Sequence, residues 1–219
     1  MREVKQKLLD LGLNESFDEN DYFVSKSNFF AKKIIETWPK WEKKIVNLTG
    51  EKFSGKTHLS TIFKIKSNAL YLYGSNIDDQ TLKKIKLSNN IIIEDLDESF
   101  DEKLLYSIFN LVDQDNKYLL ISSIKPLVKM KFSLPDLVSR LKNCIIAKID
   151  QPDDDLIYAI ILKSFSDRQI KLDSKIIDYI IKRIARSYSK TQEFIYKIDE
   201  LSLKKKKSIS FKIIKEIIS

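Results

Sequence analysis

Apolar residues follow two rhythms along this chain, and the change falls near residue 150. Before it, short unbroken apolar runs alternate with helical spacing. The runs Lys44–Leu48, Ala69–Tyr73, Asn90–Glu94, Tyr118–Ser122 and Cys144–Ile149 lack polar alternation, which predicts strands covered on both faces of a parallel sheet. Between them the spacing predicts helices over Ser27–Trp38, Lys56–Lys64, Thr81–Lys86, Glu102–Val112 and Pro135–Leu141. In the first helix Ser27 or Asn28 is the expected cap, Phe30, Ile34, Ile35 and Trp38 share a face, and Pro39 ends the element. In the second, Leu59, Ile62 and Phe63 point inward. After Pro152 the strand runs stop, and Asp153–Ser166, Asp173–Ser187, Lys190–Leu203 and Ser210–Ile218 predict helices. The expected fold is therefore α/β, with a parallel-sheet core over residues 21–150 and a C-terminal helical lid over 151–219. Residues 1–20 are polar with one leucine cluster and predict a flexible arm.

The stretch IVNLTGEKFSGKTHLS, residues 45–60, adds chemistry to this frame. Two of the chain's four glycines, Gly50 and Gly55, fall where the pattern G-x-x-x-x-G-K-[ST] requires them, followed by Lys56 and Thr57. Strand, glycine-bounded loop and helix start form a phosphate cradle, because backbone N–H groups and the helix dipole favour an anion there. Gly50, Ser54, Gly55, Lys56 and Thr57 are the candidate nucleotide contacts, with Lys56 on the β- and γ-phosphates and the Thr57 hydroxyl on Mg²⁺. Phe53 stands where many P-loops have glycine, and is expected on the outer side of the loop.

A phosphate loop needs an acid at the end of a neighbouring buried strand, and NIIIEDLD supplies Glu94 and Asp95. One can hold Mg²⁺ through water while the other orients an attacking water; the plainer alternative is two surface acids on a loop. Asp more often comes first, so metal binding is expected to persist and hydrolysis to be slow. Ser122, at the end of YLLISS, can offer a hydroxyl to the γ-phosphate or to the attacking water. Arg140 lies on the predicted helix before the last strand. It either pairs with Asp136 one turn earlier or acts as an arginine finger on a nucleotide bound by a neighbouring subunit. His58 is the only histidine and Cys144 the only cysteine, which excludes a zinc site, a Ser-His-Asp site and an internal disulfide. His58 reads as a packing or phosphate-proximal residue.

Composition adjusts this picture only slightly. The net charge of +8 invites a nucleic-acid reading. Lysine is abundant throughout, however, and the one dense run, Lys204–Lys207, reads as a solvated loop rather than a DNA-binding arm. No apolar run reaches 18 residues and the N-terminus lacks a signal-peptide pattern, so a cytoplasmic protein is expected.

The order of these features resembles the AAA+ ATPases. Within them, DYFVSKSN at 21–28, WPKW at 38–41, GEKFSGKTHL at 50–59, SLPDLVSRL at 133–141 and FKIIKEII at 211–218 resemble the bacterial replication initiators of the DnaA type and their shorter Hda-type relatives. The resemblance covers nearly the whole chain. Hda-type proteins bind ADP, dock on the DNA-loaded sliding clamp through an N-terminal peptide, and make the initiator hydrolyse its ATP. They lack the initiator's DNA-reading domain, and a chain ending at Ser219 after its lid is expected to lack it too.

The resemblance implies roles for particular residues. Tyr22, Phe23, Val24 and Asn28 would line the adenine side, and Gly50, Gly55, Lys56 and Thr57 the phosphates. Arg140, with Glu94 and Asp95 the candidate catalytic set, would act in trans on the initiator's ATP. Lys190 stands where the lid carries a second-sensor arginine; lysine keeps the charge and loses the planar fork. Gln6, Leu9 and Leu11 match the clamp peptide, with Lys7 where leucine is usual; an amphipathic turn packed on the core is the alternative. The implied cofactors are ADP or ATP with Mg²⁺. The implied partners are DnaA and the sliding clamp, with DNA reached through the clamp, and a homodimer is compatible with the fold. Weak intrinsic ATPase activity is expected.

Overall fold

The computed structural model describes residues 19–168, 172–205 and 214. Gln6, Leu9 and Leu11 lie outside the described residues, as does the closing helix apart from Ile214. Five parallel strands form one sheet in the order β2-β3-β4-β1-β5: β1 Ile45–Thr49, β2 Leu70–Tyr73, β3 Asn90–Glu94, β4 Tyr118–Ser123 and β5 Ile145–Lys148. Central β1 pairs with β4 from Ile45↔Leu119 to Thr49↔Ser123, and with β5 from Val46↔Ile145 to Thr49↔Lys148.

Both faces of the sheet are covered, which is why the strand sequences carry no polar alternation. Side chains still alternate between the faces. Ile91, Ile93, Leu119 and Ile121 point to one core, and Ile92 and Leu120 to the other. The first core is closed by α3 (Asp79–Leu87), α4 (Glu102–Gln114) and α5 (Pro135–Leu141), through Ile85, Phe109 and Leu137 among others. The second is closed by α1 (Phe29–Thr37) and α2 (Lys56–Ser67), through Ile35, Leu59 and Phe63. Phe63 stacks on Trp41 with ring centres 5.1 Å apart. Truncating such a buried ring to alanine costs about 3–5 kcal/mol.

The lid comprises α6 (Asp154–Asp167), α7 (Ser174–Ile181) and α8 (Tyr188–Lys205) around its own cluster of Ile161, Phe165, Ile180, Ile195 and Ile214. Leu156 and Tyr188 leave that cluster and pack into the second core, which seats the lid on the α/β unit.

Three sequence expectations change. Phe30 is half exposed rather than inward, because Ala31 and Ile35 form the buried face of α1. Between them Lys32 is buried, and its ammonium is paired with Glu19 and Glu36 at 2.5 and 3.5 Å. Helix α7 stops at Ile181 instead of running to Ser187, and α8 begins at Tyr188. Ser187 causes the restart: its hydroxyl accepts from the Lys190 N–H at 3.2 Å and its carbonyl from the Thr191 N–H at 3.0 Å, as a helix cap does. Finally, Lys204 and Lys205 belong to the last turn of α8, not to a loop.

Candidate nucleotide site

The loop between β1 and α2 has the backbone of a phosphate cradle. A methyl group on Gly50 would come within 2.8 Å of the Ser54 hydroxyl and 3.2 Å of the Ile149 carbonyl. Gly55 has φ +90°, and a methyl there would also meet the Tyr22 ring at 3.1 Å. Phe53 adopts φ +66° with its ring outward, so it takes a glycine-like conformation without filling the loop. Such a conformation costs a non-glycine residue about 1–2 kcal/mol, which the rest of the loop must offset.

Lys56 is buried at the start of α2, and its ammonium donates to the carbonyls of Gly50 and Glu51, both at 3.0 Å. Burial pulls its pKa below the usual lysine range, while Asp95, Glu94 and Glu51 pull it back upward. The Thr57 hydroxyl donates to Glu94 Oε1 at 2.9 Å. Glu94 is 1% exposed, and its Oε2 is buried without a hydrogen-bond partner. An unsatisfied carboxylate oxygen is costly unless a cation or ordered water completes it. Tyr71 is held above its ordinary range, first by burial and then by the Glu94 charge beside it.

Those residues fit a nucleotide with Mg²⁺. Lys56 rests on neutral carbonyls that a phosphate oxygen can replace. Thr57 and Glu94 bring two oxygens together beside an orphaned one, and Ser54 Oγ is a second buried atom without a partner. No group of three or more His, Cys, Asp or Glu side chains fit to hold a metal occurs among the described residues. Mg²⁺ in a phosphate loop takes most of its ligands from phosphate and water, so one hydroxyl and one carboxylate suffice.

Asp95 follows Glu94 at φ +53°, with its side chain exposed. Its N–H donates to Ser122 Oγ at 2.9 Å, and Ser122 is fully buried. The serine therefore braces the acidic turn from beneath, and its hydroxyl is not presented to the groove where a phosphate contact was expected.

The segment expected on the adenine side is fixed from within. Asn28 stands at the N-cap of α1, but its side chain makes no capping hydrogen bond. Its amide donates to the Phe23 carbonyl at 2.9 Å, and its Oδ1 accepts from the Ser25 N–H at 2.8 Å. The turn it shapes leaves Phe23 and Val24 exposed, and Tyr22 is T-stacked on His58 with ring centres 5.2 Å apart. His58 thus serves as a packing partner of the ring that abuts Gly55.

Two expected residues stand apart. Lys190 is exposed, and its ammonium bonds to Glu193 on its own helix at 2.9 Å. Arg140 lies on α5, whose Leu137 and Leu141 pack on the sheet face opposite α2. It pairs with Asp113 of α4 rather than Asp136, and its guanidinium lies 5.4 Å from the Tyr106 ring centre. Sequence reading missed Glu51. Its carboxylate accepts from the Ser187 hydroxyl and from the N–H groups of Tyr188 and Ser189, tying the phosphate loop to α8.

A parallel five-stranded sheet carrying this loop, this acidic strand end and a helical lid is the AAA+ fold. The particular likeness is to the DnaA initiators. The initiator of Helicobacter hepaticus is 24% identical over 233 residues, covering 95% of this chain and 51% of the initiator. An uncharacterised protein of Haemophilus influenzae is 25% identical over 183 residues, covering 78% of this chain and 79% of that protein. Among solved structures, domain III of Thermotoga maritima DnaA superposes with TM-score 0.74 at 16% identity, over 93% of this chain and 96% of that one. AMPPCP-bound DnaA from Aquifex aeolicus gives 0.71 at 16% identity, over 93% and 69%. The RuvB branch-migration motor of Thermotoga maritima gives 0.65 at 17% identity, over 90% and 69%. No family model matches the chain. The chain spans about half the length of the first curated initiator it matches, 51%.

Proposed function

We propose that this chain is a nucleotide-binding AAA+ regulator of the replication initiator DnaA. It binds ADP or ATP with Mg²⁺, docks on the sliding clamp through Gln6, Leu9 and Leu11, and stimulates hydrolysis of the initiator's ATP with Arg140. The observation that carries the nucleotide half is the pairing of Lys56, on displaceable carbonyls, with a Thr57–Glu94 couple holding an unpartnered buried oxygen. Likeness to DnaA, one of whose solved forms is AMPPCP-bound, supports the choice of ligand and partner.

In this mechanism the loop amides and Lys56 hold the phosphates, while Tyr22 and the turn fixed by Asn28 receive the base. Mg²⁺ would supply charge neutralisation between Thr57, Glu94 and the phosphates. Arg140 would leave Asp113 and meet the developing charge on a nucleotide held by the neighbouring initiator, as an arginine finger does. Association of that kind uses subunit edges, so a homodimer through the same edges is compatible with it.

The engagement of Arg140 by Asp113 also favours a second reading, an adaptor that recruits the initiator without speeding hydrolysis. One experiment separates the two: ATP hydrolysis by DnaA, with clamp-loaded DNA, with and without this protein and ADP. Stimulation that vanishes with Arg140→Ala and with Gln6→Ala/Leu9→Ala supports the regulator. Binding of DnaA without stimulation leaves the adaptor.

A further inference from the structure

Glu51 joins the two halves of the candidate site. It occupies a variable position of the phosphate loop, directly after Gly50. Its main-chain carbonyl accepts from the Lys56 ammonium at 3.0 Å and from the Ser54 N–H at 3.2 Å. Its carboxylate reaches the other way: Oε1 accepts from the Ser187 hydroxyl at 2.6 Å and the Ser189 N–H at 3.1 Å, and Oε2 from the Tyr188 N–H at 3.1 Å. The free N–H groups at the start of α8 are thus satisfied by a side chain from the α/β unit, with its charge at the positive end of the helix dipole. Partial burial raises the Glu51 pKa, but hydrogen bonds from Ser187 and Ser189 outweigh it and leave the group below its ordinary range. The carboxylate is therefore charged at neutral pH.

The remaining lid contacts differ in kind. Leu156 and Tyr188 seat the lid by apolar packing, and Lys163 pairs with Asp21 at the surface at 3.2 Å. Lys190, one turn into α8, is drawn to Glu193.

We infer that Glu51 is a positioning residue that latches α8 onto the phosphate loop without help from a γ-phosphate, so that the site accepts ADP about as readily as ATP. The inference rests on the nucleotide reading of the phosphate loop. A lid favours ATP over ADP only to the extent that the γ-phosphate binds its closed form better than its open form. With the helix start already bound by Glu51 and Lys190 engaged elsewhere, little is left at α8 for a γ-phosphate to add.

The test uses the full chain, Glu51→Gln and Ser187→Ala. Hydrogen exchange of the Tyr188–Thr191 amides is followed without nucleotide, and the Kd values of ADP and of a non-hydrolysable ATP analogue are measured with Mg²⁺. Wild type is expected to protect those amides without nucleotide and to bind the two ligands within about threefold of each other. Glu51→Gln should speed their exchange by about tenfold or more, with the β1 and β4 amides unchanged, and should shift preference toward the triphosphate. Ser187→Ala should shift both readings the same way by less. Unchanged exchange in Glu51→Gln overturns the latch. Faster exchange with an unchanged ratio of Kd values overturns its role in specificity. Failure of wild type to bind either nucleotide overturns the nucleotide reading, while the exchange arm still decides whether the latch exists.

Discussion

Lys56 and Arg140 are the two cations on which the proposed chemistry turns, and the fold holds them in opposite ways. Lys56 is buried against two neutral carbonyls, on the sheet face closed by α2. Arg140 sits partly exposed on the other face, against a carboxylate and an aromatic ring. In the proposed function, a phosphate oxygen arriving at Lys56 would replace weaker acceptors with a charged one, so that edge would be ready before its ligand comes. A phosphate reaching Arg140 must first displace Asp113, so under the proposed function the α4–α5 edge would act only when a partner offers a stronger anion.

The largest effect expected from breaking this contrast is at Lys56. Lys56→Ala should weaken nucleotide binding about tenfold to a hundredfold, from the 1.5–3 kcal/mol of a hydrogen bond to a charged group, read by titration calorimetry. Arg140→Ala should leave that affinity unchanged. Next, Glu94→Gln should weaken the Mg²⁺ dependence of binding while the metal-free Kd moves less than about threefold, since a neutral amide oxygen lacks the charge with which a carboxylate holds Mg²⁺. An unchanged Mg²⁺ dependence would remove Glu94 from the metal site.

Asp113→Asn sharpens the other side. It frees Arg140 and should raise stimulation of the initiator's ATPase by no more than about threefold, with a stability change under about 1 kcal/mol, because the pair is partly exposed. A fall in stimulation would mean that Asp113 orients the guanidinium rather than restraining it. The smallest effect is in pH. Lys197 and Lys190 hold Glu193 down from 4.5 to about 2. A carboxyl depressed by folding stabilises above its unfolded pKa and loses that contribution as pH falls through the folded one. Glu193→Gln should therefore lower Tm slightly at neutral pH, leave it unchanged below about pH 2, and so flatten the acid limb of a Tm-against-pH curve between 4.5 and about 2.

The sheet was legible because its strands are buried on both faces: runs such as NIIIE and YLLIS have no competing periodicity. The phosphate loop was legible because glycine is scarce and its spacing is imposed by backbone geometry. Boundaries in the lid were less so. Ile180 and Ile184 keep helical spacing across the turn that separates α7 from α8, and nothing local marks the break. Long-range partners were invisible. Arg140 had a plausible acid one turn away in Asp136, yet the fold brings Asp113 across from α4. Glu51 occupies a position that the loop pattern leaves open, and its partner Ser187 lies 136 residues later. Only the seating of the lid reveals them as a pair.

Cys144 gives the chain an internal clock. The thiol is buried next to β5, donates to the Arg140 carbonyl at 3.7 Å, and is pushed up to about 12 by burial. A maleimide or disulfide reagent at neutral pH meets its thiolate when the packing around the end of α5 opens. Labelling speed in the native protein then reports opening of the core around the Arg140 carbonyl, and a partner seated on α5 should slow it. The chain holds no second cysteine to confuse the signal.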